Sequence, residues 1–369
     1  MITNAENVNC KFEKNKQPNR NASYDLLKIM ATFAVILIHA NWLYFADCYE
    51  VYSSDISWIM KSLINIITRF SVPCFVMISG ACNLNKGVNA NMKDFYQKTS
   101  FRIFLPFAIV LLLEALATFL MNLVLHRELN CELDGFFTMG IYNLWYMYML
   151  FGIYLLTPFI VKLKTVLSCK AYRFLAVWMF IWAIISQSTS TQKMAYSIGV
   201  VGAFLGYYLM GDMIRSEISK CSGESKKRIV LCSSIVSLFA VAVTFWVRAM
   251  GINYYVENWS INFFSPTIVI LSISVFLMFN IISIHVREGL YWLSKRTFYI
   301  YLFHTMILRF LHHIIKQRIE NELLAATILI LLTIVLSLLA AICFEKIWNF
   351  ICLKLSMEEK WKHMRIWRG

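Results

Sequence analysis

The sequence predicts an all-α polytopic membrane helix bundle of about ten transmembrane helices, with N- and C-termini cytoplasmic. Three observations carry this. Apolar residues make up 59% of the 369 and charged residues 15%, against about 25% charged in soluble domains. The apolar residues are gathered into ten runs, most near the ~20 residues that a helix needs to cross the hydrocarbon. The basic residues cluster between those runs on alternate sides, which is a topology signal. The net charge of +14 is therefore read as membrane orientation, and no nucleic-acid partner is expected.

The runs are 26–45, 56–80, 102–125, 141–161, 172–187, 196–214, 229–249, 262–284, 297–315 and 323–352. The fifth is short for a span and the last is long. Counting Lys and Arg on alternate sides gives 25 with the termini and 5 opposite. Basic loops stay cytoplasmic, and an even number of spans places both termini together. Residues 1–23 are polar and Asn/Lys-rich, and read as a flexible cytoplasmic tail. Residues 24–354 form the transmembrane domain, and 355–369 a basic cytoplasmic tail. The first run is too long for a cleaved signal core. Ten cysteines are scattered without a metal-binding spacing. Cys48 and Cys131 fall in outer loops, where a disulfide is allowed but weakly supported.

Ionisable residues inside apolar runs are costly in lipid and mark functional sites by default. YDLLKIMATFAVILIHANW holds Lys28 and His39. Eleven steps of about 100° close within about 20° of three turns, so both side chains share one face, about 16 Å apart along the axis. Alone, Lys28 reads as a snorkelling anchor, whereas a hydrogen-bonded packing role for His39 stands against the functional default for buried intramembrane groups. Asp25 is placed to cap the helix or to pair with Lys28. ITRFSVPCFVMISG puts Arg69 near mid-membrane, and Pro73 frees a carbonyl in the preceding turn. Arg cannot shed its charge and needs an anion, carbonyls or water. Glu114 is a candidate partner for Arg69, and Gly80 a candidate C-cap. Lys93, Lys98 and Arg102 lie in the second inner loop and at the head of helix 3. They suit either inner-leaflet contact or a phosphate-binding rim. Trp145 and Tyr148 suit an interfacial belt or a substrate cleft. His304 lies about two turns into FYIYLFHTMIL, whereas His312 and His313 near its outer end read as interfacial.

These segments, with FYQKTSFRIFLPF, NLWYMYMLFGIYLLTP, YYLMGDMI and FFSPTIVILSISVFLMF, occur in the order of the acyltransferase-3 family of integral membrane acyltransferases. The chain resembles that family over nearly its whole length, in the short, transmembrane-only form of O-acetyltransferases. The family's pattern of a basic residue, ten residues and a histidine falls on Lys28 and His39. Lys28 stands where relatives often have Arg, which keeps the charge but loses the bidentate fork. The resemblance implies an acyl-CoA co-substrate, most often acetyl-CoA, with no permanently bound cofactor. It implies a hydroxyl on a glycan or lipid-linked saccharide as acceptor, and the cell membrane as location. Lys28, Lys98 and Arg102 would hold CoA phosphates. His39 would act as general base or acyl carrier, with Arg69 stabilising the oxyanion or orienting the donor. Asp25, Trp145, Tyr148 and His304 would line the substrate site. A transporter or flippase of lipid-linked glycan is the alternative. It predicts inverted repeats and paired broken helices, whereas one proline-interrupted helix and no repeat are seen.

Overall fold

A computed structural model describes residues 21–45, 56–84, 92–124, 133–189, 198–250, 260–285 and 287–354. The tails beyond 20 and 354, Cys48 and Cys131 lie outside them. Among the described residues the regular structure is helical throughout, as lipid demands of a chain that must satisfy its own backbone polar groups. The order is α1 (Ala22–Phe45), α2 (Ile56–Thr68), α3 (Ser71–Asn83), α4 (Met92–Thr99), α5 (Leu105–Val124), α6 (Leu133–Val166), α7 (Cys169–Thr189) and α8 (Ile198–Ile218). It continues with α9 (Gly223–Ala249), α10 (Pro266–Ile281), the short α11 (Glu288–Ser294), α12 (Thr297–Lys316) and α13 (Glu322–Lys354). Each of the ten apolar runs falls on helix. Seven stretches among the described residues are long and apolar enough to cross a membrane, and α10 is apolar but shorter. The all-α polytopic bundle is the architecture observed.

Local chemistry explains the irregularities. Asn21 caps α1, its Oδ1 accepting from Ser23 N at 3.0 Å. Of the two roles open to Asp25, pairing with Lys28 is the one seen, and its carboxylate also accepts from Ser294 of α11. The second run is broken at Arg69 and Phe70 into α2 and α3, because Pro73 has no N–H for the Arg69 carbonyl. A π-turn, Ser100–Phe104, joins α4 to α5. Pro106 follows it and leaves the Arg102 carbonyl without its helical donor. In α6, Leu144 is non-helical (φ −113°, ψ 21°). The kink divides that helix just where its apolar run begins.

Side chains sort by solvent. Phe239, Leu238 and Leu112 stand exposed on α9 and α5, as lipid-facing residues do. The main core is aromatic, with Tyr24, Phe204, Tyr207, Tyr208, Phe276 and Tyr301 buried together. At its centre α3 and α8 meet backbone to backbone. A Cβ at Gly80 would lie 1.8 Å from the Tyr208 carbonyl oxygen, and one at Gly211 2.0 Å from that of Met77. Gly80 is thus not the C-cap its sequence position suggests. The helix runs on to Asn83, and Gly80 is required by close approach.

Candidate functional site

Charged and polar side chains gather at one end of the bundle, where the starts of α1 and α7 meet the ends of α3, α6, α8 and α10. Tyr24 donates to Asn280 Oδ1 at 2.5 Å, and Ser23 to the Ile282 carbonyl. Arg215 Nη1 donates to the Ala81 carbonyl at 2.7 Å, and Lys164 Nζ to that of Leu84 at 3.3 Å. Two cations thereby cap the last carbonyls of α3, where the helix dipole favours positive charge. Lys164 also pairs with the buried Asp212 at 2.6 Å, and Tyr172 donates to the same carboxylate oxygen at 3.0 Å. Alongside, Tyr154 donates to Ser79 Oγ at 3.3 Å, and Arg102 acts electrostatically on Tyr154. Arg102 is exposed and Lys98 half-buried. Lys28 pairs with Asp25 at 3.8 Å with a third of its side chain exposed, and Asp25 accepts from Ser294 Oγ at 2.6 Å. Lys28 lies near the start of α1, and Lys98 and Arg102 lie where α4 passes into α5.

About three turns along α1 from Lys28, His39 meets His304 of α12, ring centroids 5.2 Å apart and planes tilted by 51°. His39 is half-buried and His304 is fully buried. His304 Nδ1 lies 2.5 Å from the Tyr301 carbonyl. Arg69 stands in the break between α2 and α3. Its Nε donates to Asn65 Oδ1 at 2.8 Å, its guanidinium lies 5.4 Å from the Phe263 ring centroid, and its charge acts on His39. Trp145 packs against Phe263 at 5.8 Å and Phe204 at 5.7 Å, so it joins the aromatic wall beneath Arg69. Tyr148 sits elsewhere, exposed and against Phe107 of α5 at 5.4 Å. Glu114 pairs with Arg309 of α12 rather than with Arg69 as the sequence suggested. Among the described residues no three His, Cys, Asp or Glu side chains converge as a metal site.

Sequence reasoning missed Lys164, Asp212 and Arg215. Asp212 carried a signal, an acid inside YYLMGDMI. Lys164 read as a loop residue because the helix runs on past the apolar run to Val166. The contact of His39 with His304 carried no signal, since 265 residues separate them.

Apolar helices long enough to cross a membrane, with a histidine pair and an arginine set among them and a charged mouth at one end, define a multi-pass membrane protein. The family model for an acyltransferase domain matches residues 21–342, nearly the whole chain, and the protein belongs to that family: it is a membrane acyltransferase. No curated protein and no solved structure matches it. Family membership decides against the transporter reading.

Proposed function

We propose that this acyltransferase moves an acyl group, most often acetyl, from acyl-CoA to a hydroxyl of a cell-surface glycan or its lipid-linked precursor, in the cell membrane. The observation supporting this is the half-buried His39, held against His304 beside Arg69 and three turns from a basic rim. CoA phosphates are held from the cytoplasm by Lys28, Lys98 and Arg102, whose charged N–H groups suit phosphate oxygens. The thioester reaches inward along α1. The acceptor hydroxyl gives its proton to a His39 ring nitrogen as its oxygen attacks the thioester carbonyl. Arg69, stiffened by Asn65 and Phe263, stabilises the tetrahedral oxyanion. Collapse expels the CoA thiolate, which takes the proton back from His39. In the covalent variant His39 attacks first and carries the acyl group. Asp25 orients Lys28, and Trp145 walls the acceptor side.

The test is to incubate purified protein with acetyl-CoA labelled in the acetyl group and lipid-linked glycans from the host membrane. Label is expected in the glycan with stoichiometric release of free CoA. CoA release without labelled glycan would contradict the acceptor class, and no label transfer at all would contradict the donor.

A further inference from the structure

We infer that His304 is a positioning residue whose lone pair fixes which nitrogen of His39 acts as base. This rests on the reading of His39 above. The Tyr301 carbonyl can only accept, so the 2.5 Å contact puts a proton on His304 Nδ1. Nε2 then presents a lone pair, buried and without a hydrogen-bond partner among the described residues. A second proton there would bury an unpaired charge, which is costly. A buried acceptor left open in a fully enclosed side chain needs an explanation, and the ring beside it supplies one. With centroids 5.2 Å apart, two imidazole edges turned toward each other come within hydrogen-bond reach.

The χ2 torsion of histidine is broad, so a rotation of the half-buried His39 ring brings one of its N–H groups onto His304 Nε2. The direction of each bond is then set from the backbone outward. The Tyr301 carbonyl takes the His304 Nδ1 proton, and His304 Nε2 takes a His39 proton. The opposite His39 nitrogen is left as a lone pair on the accessible side, where a base must point. When His39 is protonated during transfer the same bond persists, so no regrouping is needed mid-reaction.

The experiment is nitrogen-15 NMR of histidine-labelled protein in lipid, with His39 assigned by its loss in His39→Ala, alongside transfer rates of variants. Unmutated protein is expected to show His304 protonated at Nδ1 and His39 as a single tautomer. His304→Phe keeps the ring volume but removes the lone pair. It should lower transfer about 10–100-fold, the usual cost of losing an orienting partner, and split His39 into two tautomers. His304→Gln returns an acceptor near the Nε2 position and should restore both. His304 found protonated at Nε2 in the unmutated protein overturns the inference without any variant. So does a His304→Phe enzyme with normal rate and one His39 tautomer. Either result leaves His39 as base intact, whereas active His39→Ala protein would sink that reading instead.

Discussion

Arg69 shows how one side chain is made stiff enough to matter. It sits where helical hydrogen bonding has lapsed, its Nε held by Asn65 and its guanidinium near Phe263. Lys has no Nε donor in that position and a compact, strongly hydrated charge. Arg69→Lys is therefore expected to lower the transfer rate about 10²–10³-fold, the scale of a lost oxyanion contact, while acetyl-CoA affinity holds. Equal loss of affinity and rate would instead make Arg69 a donor-binding residue. The residues of this centre were legible to different degrees. Lys28 and His39 share a face by arithmetic, and an arginine in an apolar run announces itself. The partners did not show. Glu114 took Arg309, and His39 took His304, because pairing between distant helices depends on crossing geometry that a single sequence does not contain.

At the scale of elements, the α3–α8 crossing fixes the charged mouth, since the last carbonyls of α3 receive Arg215 and Lys164. Gly80→Ala would drive a methyl into the Tyr208 backbone, where neither helix can yield cheaply. It should destabilise by about 3 kcal/mol, the upper range for overpacking, and lower the melting temperature in detergent by several degrees. Gly223→Ala meets nothing within 4 Å and should leave melting unchanged or slightly raised. Equal melting of the two variants would show that α3 and α8 are not in backbone contact. The Glu114–Arg309 pair invites a second test. Arg309→Met removes the guanidinium paired with a buried carboxylate and should cost about 3–5 kcal/mol, most of it regained in the double variant with Glu114→Gln. Additive losses in the double variant would mean the pair is not coupled. Helix positions were readable from apolar runs, and the break at Arg69 from Pro73. The meaning of Gly80 was not, because a C-cap glycine and a close-approach glycine look alike until the neighbouring helix is in place.

At the scale of the whole molecule, Arg215 and Lys164 meet at the end of α3, and the 25-to-5 asymmetry of Lys and Arg predicts which side of the membrane that end faces. A cytoplasmic reporter fused after Lys227 should be active and one fused after Asp134 silent. The reverse pattern would put the rim on the wrong side for a cytoplasmic donor. Composition and charge made the bundle readable, whereas the two-zone layout, a charged mouth and a histidine pair deeper in, needed the helices side by side. The central claim is that these zones serve one reaction, with His39 taking the proton where donor and acceptor meet. The most direct measurement is acetylated glycan formed per unit of membrane protein by His39→Ala, with melting temperature recorded beside it. The account predicts a folded protein with transfer lowered by about 10²–10⁴-fold, the usual worth of a general base. Near-normal transfer, or loss of activity that only tracks loss of folding, would contradict it.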